Sequence, residues 1–381
     1  MSAYRLDVQR SVAGKGSDPI LVSSIILLVG VGMVALYSAS TAFAERFFGD
    51  SAYFLRKQAV FAAVGLVFFF VAARIDLEFV RRFVKPLVLG SVILCLLTFI
   101  PGIGMVKNGA ARWIRVGPSS YQPSELVKLV LPLYLAHIFA KKEDRLDEAS
   151  SGVLPPAIIT TLFCLLVYLQ NNFSTALFIA LNALVLFFLA GVRFRHFIGA
   201  AAVSIPLAVL LIFTKEHRLR RVLTFFRPEW DPLGAGYQVR SSVDTVASGG
   251  FWGKGLGQGT RKIANVPEIH SDFVFAAYSE EMGFIGVVLI FLLFAVFAIR
   301  GYRSALRSGD TFKRLLACGL VTVMTAQALL NVAVVVGAVP ATGVPLPFFS
   351  AGGSSLATTL FAAGLIVNVS RDADRPEVID V

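Results

Sequence analysis

Residues 20–42 read ILVSSIILLVGVGMVALYSASTA, without a single charged side chain. At about 1.5 Å of rise per residue, a helix of that length reaches across the roughly 30 Å hydrocarbon core of a bilayer. Apolar residues fall on every side of it, which is the pattern of a helix facing lipid or buried all round. Working outward, comparable blocks follow at about 54–74, 85–102, 122–141, 153–170, 174–192, 197–214, 272–300, 314–337 and 353–370. The expectation is an all-α, polytopic membrane protein with about ten transmembrane helices. Composition agrees: 56% of the 381 residues are hydrophobic and 15% charged, against about 25% charged in soluble chains.

Three parts follow: a polar N-terminal tail (1–19), a membrane domain (20–370) and a short C-terminal tail (371–381). The N-terminus lacks a signal-peptide pattern, so the first span is expected to be retained. Cys95, Cys164 and Cys318 fall inside apolar blocks without metal-type spacing, and read as small hydrophobes. The net charge of +11 points to anionic or phosphate-bearing lipids, and not to nucleic acid.

Lysine and arginine set the orientation. With the N-terminus inside, the cytoplasmic segments carry 19 of them and the short outer loops six. The positive-inside rule then places both termini in the cytoplasm. The one long connection, 215–271, becomes extracytoplasmic, and it is basic: Lys215, Arg218, Arg220, Arg221, Arg227, Arg240, Lys254, Arg261 and Lys262 against five acids. Its glycines, in DPLGAGY (231–237) and SGGFWGKGLGQG (248–259), suggest backbone that approaches a ligand, and with the cations an outward phosphate-binding surface. A merely solvated loop beside headgroups is the plainer alternative.

Ionisable groups within spans are expensive and mark candidate sites. Glu125 and Lys128, three apart at the start of span four, can neutralise one another on one helix face. Asp272 follows His270 and Ser271 where the long loop re-enters the membrane. It could cap helix eight, or serve as a general base beneath a cationic cleft; the residues alone leave the two even. Glu280 and Glu281, about 12 Å further along that helix, read as bonds to other helices in preference to a proton path. Arg112 and Trp113 precede span four. GVPLPFFSAGGSS (343–355) precedes span ten, with Ser350, Ser354 and Ser355 as hydroxyl donors. Irregular backbone at that depth must be buried in protein or line a wet cavity, which favours a cavity.

Four segments in order, NGAARWIRVG (108–117), QPSELVK (122–128), DPLGAGYQ…PEIHSDFVFAAYSEEMGFIG (231–286) and GVPLPFFSAGGSS (343–355), resemble the SEDS family (shape, elongation, division and sporulation; FtsW/RodA/SpoVE type). The resemblance runs from about residue 20 to 370. It implies a peptidoglycan glycosyltransferase that polymerises lipid II, an undecaprenyl-pyrophosphate-linked disaccharide-peptide. It gives Asp272 the catalytic role, tipping the even weighing towards chemistry. Glu125 and Lys128 match the family's functionally sensitive pair, with His270 and Glu280 as further supporting residues; Arg112 and Trp113 match its outer-loop Arg-Trp. Two positions depart: Asn172 stands where the family commonly has an acid, and Ala351 where it has an aromatic. WGKGLGQGTRK (252–262) reads closer to the division type, with an elongation-type role as the alternative within the family.

The mechanism so implied is inverting: Asp272 deprotonates the acceptor sugar alcohol, and undecaprenyl pyrophosphate leaves. Arg218, Arg221, Lys254, Arg261 and Lys262 are candidates for holding the pyrophosphate. No cofactor is indicated with certainty. A divalent cation, magnesium or manganese, could share the charge, though no ligand cluster stands out. Expected partners are lipid II, a class B penicillin-binding protein transpeptidase and other divisome proteins; the expected location is the bacterial cytoplasmic membrane at the division septum. The rival class is a lipid II flippase or proton-coupled transporter, for which buried Glu125, Lys128, Glu280 and Glu281 would serve.

Overall fold

Lipid offers no hydrogen bonds, so a membrane-crossing backbone must satisfy its own amides and carbonyls. The computed structural model, which describes residues 16–107, 109–117, 119–231, 234–260, 269 and 271–372, does so with helices at each of the ten expected spans. These are α1 (Pro19–Phe48), α2 (Tyr53–Ala72), α4 (Val84–Leu97, entered from the short α3, Leu77–Arg82), α5 (Pro123–Lys141), α6 (Leu154–Leu169), α7 (Phe173–Leu189), α8 (Phe194–Phe213), α11 (Val274–Leu306), α12 (Thr311–Val335) and α13 (Gly353–Asp372). Eight segments are long and apolar enough to span a bilayer, while α4 and α7 are shorter apolar helices. No residue of α8 is buried, whereas α5, α12 and α13 are the inner helices of the bundle.

One end of the bundle is tied by charge. Asp18 caps α1 through Ile20 N and Leu21 N, and its other oxygen pairs with Arg300 at 2.6 Å. Asp18 N donates to Ser370 Oγ, Arg371 to Ala73 O, and Arg193 pairs with Asp147. The opposite end, the loop face, carries the sheet and the long connection.

One feature there differs from an all-helical expectation. Residues 104–121 form a three-stranded antiparallel sheet, β1 (Gly104–Lys107), β2 (Ala110–Val116) and β3 (Ser119–Tyr121), with Met105 opposite Trp113 and Ile114 opposite Tyr121. The Asn108-Gly109 pair between alternating side chains is a hairpin signal. The long connection is largely helical. Its α9 (Glu216–Phe226) is strongly amphipathic, and α10 (Ala235–Ser248) buries Ser242, whose hydroxyl donates to Val335 O at 2.8 Å.

The glycines of that connection have a different partner from the ligand expected of them. Helix α11 is broken at Gly283 (φ 63°, ψ −164°), which strands carbonyls above the break and amides below it. Residues 250–255 slot into the gap. Lys254 N and Gly255 N donate to Glu280 O and Glu281 O, while Phe284 N and Ile285 N donate to Gly250 O and Phe251 O. A Cβ on Gly253 (φ 80°) would stand 2.2 Å from Glu281 O, so only glycine permits the interlock.

Candidate active site

The sheet, α9 and the segment after α12 converge over one cavity of about 460 Å³ between α7 and α12. Its inner wall is apolar: Leu177, Phe178, Leu181, Val185, Ile212 and Leu330. Its mouth is cationic: Arg112 from β2, and Arg218 and Arg221 from α9, with His217 beside them. The helical repeat of α9 puts residues 217, 218 and 221 on one side, as i, i+3 and i+4 neighbours.

Each arginine is fixed by a different device. Arg218 is buried, its guanidinium 4.6 Å from the Tyr168 ring and 5.4 Å from that of Phe173, and it donates to Tyr168 Oη and Leu211 O at 3.0 Å. Arg112 donates to Asn171 O, and Asn171 in turn donates to Gly109 O, tying the hairpin to the start of α7. Arg221 donates to Ala341 O at 3.3 Å. Burial and the neighbouring Arg221 lower the Arg112 pKa to about 10; Asp272 opposes that fall, and Arg218 adds to it. Burial likewise lowers Arg221, again opposed by Asp272. Partial burial, then Arg218, Arg221, Arg112 and Lys215, hold His217 below the ordinary histidine range.

Several buried polar atoms around this cavity have no partner: Arg112 Nε, Arg218 Nε, Asn172 Nδ2 and Asn182 Oδ1. Buried groups are almost always hydrogen-bonded, so such a concentration marks a place where a ligand or water completes the set.

Asp272 stands at the edge of this mouth. Phe273 takes the N-cap position of α11. Asp272 O accepts from Asn331 Nδ2 at 3.0 Å, and its carboxylate faces Gly343, where a Cβ would lie 3.5 Å from Oδ2. Gly343 follows Thr342, itself part of the cavity wall, and its φ of 69° turns the chain away towards α13. The carboxylate is half-buried and within electrostatic reach of both Arg112 and Arg221.

The other expected site residues divide. Glu125 and Lys128 form a buried pair at 2.9 Å outside the cavity lining, with Lys128 also donating to Gln327 Oε1 at 2.7 Å. Lys254, expected on the pyrophosphate, instead pairs with the fully buried Glu280 at 2.6 Å; Thr260 N and Ser248 Oγ donate to the same Glu280 oxygen. Glu280 therefore closes the interlock, and Glu281 accepts from Ser38 on α1 at 2.7 Å. Trp113 lies beneath the Lys107 ammonium, 5.3 Å from its ring centre. Ser350, Ser354 and Ser355 were expected as donors to a ligand, yet none lines the cavity. Ser350 Oγ accepts from Leu346 N to close a buried turn, Ser350 O accepts from Gln58 on α2, and Ser354 and Ser355 lie in the first turn of α13. No residue of 343–355 lines this cavity, although the preceding Val339–Thr342 does; the segment takes the buried alternative that membrane depth also permits. Arg261, Lys262 and His270 lie outside the described residues.

Sequence reasoning did not single out His217, Asn171, Asn182, Gln327, Asn331 or Thr342. Asn182, Gln327 and Asn331 carried a signal nonetheless, as amides inside apolar spans. Among the described residues no group of three or more His, Cys, Asp or Glu could hold a metal ion.

Residues 19–375 match the family model for the FtsW/RodA/SpoVE cell cycle proteins. Among curated relatives, a probable peptidoglycan glycosyltransferase FtsW of Trichlorobacter lovleyi is 40% identical, covering 93% of each chain. Stage V sporulation protein E of Bacillus subtilis is 38% identical, covering 93% of this chain and 97% of its own. Two solved structures share the fold. A chain from a peptidoglycan synthase complex that coordinates polymerization and crosslinking aligns with a TM-score of 0.78 at 30% identity, covering 94% of this chain and 98% of that one. The rod shape determining protein RodA of Thermus thermophilus aligns at 0.69 and 28% identity, over 94% and 98%. On the match to the family model over nearly the whole chain and on these identities, the chain belongs to the FtsW/RodA/SpoVE cell cycle protein family.

Proposed function

We propose that this chain is a peptidoglycan glycosyltransferase that polymerises lipid II, with Asp272 as general base. The observation that carries the reading is the cavity: an apolar wall for a prenyl chain under a mouth of three arginines, two with unpaired Nε atoms, within electrostatic reach of the Asp272 carboxylate. The donor's pyrophosphate sits among Arg112, Arg218 and Arg221, and the first isoprene units lie against Leu177, Leu181 and Leu330. Asp272 takes the proton from the 4-hydroxyl of the acceptor's terminal N-acetylglucosamine as that oxygen bonds to the anomeric carbon of the donor's N-acetylmuramic acid. The bond from that carbon to phosphate breaks, with inversion, and undecaprenyl pyrophosphate leaves. Charge grows on the leaving oxygens, and fixed guanidinium groups in a poorly hydrated mouth are suited to stabilise it.

The membrane is the bacterial cytoplasmic membrane, with the loop face outside and both termini inside, a reading that the lysine and arginine distribution supports. A class B penicillin-binding protein transpeptidase is the expected partner, since a related chain belongs to a complex joining polymerization to crosslinking. The division septum is the expected place, on the strength of relatives named FtsW.

Asparagine at position 272 keeps the size and polarity of aspartate but cannot take the proton. Purified Asp272→Asn is expected to bind lipid II in detergent and fail to polymerise it. Polymerisation at the native rate would end the assignment, and movement of labelled lipid II across vesicles without polymer would favour a carrier.

A further inference from the structure

Irregular backbone inside a helical membrane bundle needs donors for its carbonyls. Residues 343–347 are such backbone, and two amides on one face of α12 supply them. Gln327 Nε2 donates to Pro345 O at 2.8 Å, and Asn331 Nδ2 donates to Val344 O at 2.9 Å. Asn331 Nδ2 is shared: it also reaches Asp272 O at 3.0 Å. One buried amide group thus holds the re-entering loop and the segment before α13 in a fixed relation, and the Asp272 carboxylate lies against Gly343 between them.

The Gln327 amide can turn either way, and its surroundings decide which. Lys128 Nζ, 2.9 Å from Glu125 and 2.7 Å from Gln327 Oε1, has protons to give and no lone pair to offer. It therefore forces Oε1 towards itself and the NH2 group towards Pro345. Glu125 pairs with Lys128 and holds it in place, at a burial where an unpaired ammonium would be costly.

We propose that Gln327 and Asn331 are positioning residues for Asp272, and that the buried Glu125–Lys128 pair acts on the site through Gln327. The proposal rests on the reading of Asp272 as the base. It gives the ion pair a role at a distance: no proton moves through it, and it touches no substrate. A shift of about 1 Å at a reacting group can cost a hundredfold in rate, so a small rotation of the 343–347 segment suffices.

The test uses the full chain in detergent, with lipid II as substrate and a melting curve for each variant. Gln327→Glu keeps the volume and the bond from Lys128 but turns an oxygen towards Pro345 O. It is expected to lower kcat roughly ten- to a hundredfold with KM changed less than about threefold, and to move the acidic limb of the kcat–pH profile. Asn331→Asp is expected to behave alike. The double variant Glu125→Gln/Lys128→Met removes both charges together, leaves Gln327 unpinned, and decides the matter if Gln327→Glu does not fold. A folded variant turning over at the native kcat overturns the proposal; so does a change confined to KM, or a loss that only tracks the folded fraction. An inactive Asp272→Asn beside an active Gln327→Glu sinks the positioning role alone, whereas an active Asp272→Asn sinks the base.

Discussion

Asp272 and Glu280 stand eight residues apart at the loop end of the same broken helix, and their surroundings give them opposite fates. Glu280 is fully buried and closed in by Lys254, Ser248 and Thr260 N, so its charge is spent on holding residues 250–255 in the helix break. Asp272 is half-buried at the lip of a cavity, its field reaching Arg112 and Arg221. Two carboxylates eight residues apart thus meet different surroundings, one closed into a clasp and one at a cavity lip.

Exchanging their chemistries is the strongest way to break this contrast. Asp272→Asn is expected to lower kcat by about 10²–10⁴, the range for losing a general base. Glu280→Gln should leave kcat per folded molecule nearly native and lower the melting temperature instead. Equal losses of kcat in both would erase the distinction.

Next in size are the arginines that separate the cavity from the clasp. Arg221→Met or Arg218→Met removes a charged hydrogen-bond donor worth about 1.5–3 kcal/mol, so lipid II affinity should fall roughly ten- to a hundredfold. Lys254→Met should leave that affinity unchanged, because its partner is Glu280; titration of both variants with a labelled lipid II reads the difference.

The clasp is tested through its backbone by Gly253→Ala. A methyl group there meets Glu281 O at a positive φ, and the expected cost is about 1–3 kcal/mol of stability, read by thermal unfolding in detergent. Turnover well below the melting temperature should persist.

The smallest effect concerns pH. His217 is held below its ordinary value, so it is neutral at pH 7 and gains a proton only as pH falls below 6.5. A depressed pKa in the folded chain contributes stability above that range and loses it on acidification. A bound pyrophosphate favours the protonated ring, so lipid II should bind modestly tighter as pH falls from 6.5. His217→Gln should flatten that slope, and a native slope in the variant would remove His217 from the mouth.

Much of this arrangement was legible in the sequence. The ten spans could be read because twenty or so uncharged residues in a row have no stable place but a bilayer or a core. Asp272, Arg112, Arg218 and Arg221 were among the charges singled out from the sequence, and they gather around the cavity mouth; for Asp272 the residues alone left cap and base even, and the resemblance tipped the weighing. Lys254 was misplaced because a cation in a glycine-rich loop looks the same whether it meets a phosphate or a buried glutamate. Ser350, Ser354 and Ser355 were misplaced for a related reason: irregular backbone at membrane depth may line a cavity or pack inside protein, and the one-dimensional pattern serves both. The hairpin at 104–121 was signalled by Asn108-Gly109, but its strands are too short to stand out from the spans around them.

The sequence by itself determined the crossings, their order and the set of polar groups that would have to be reckoned with near the membrane. It could do so because hydrophobic length and the cost of burying charge are properties of a segment, independent of its neighbours. The tertiary structure alone decided which charges cancel: Lys254 with Glu280, Lys128 with Glu125 and Gln327, and which arginines keep a donor free over the cavity. Those outcomes depend on distances between residues far apart in the chain, and electrostatic and hydrogen-bond energies change steeply over a few ångströms.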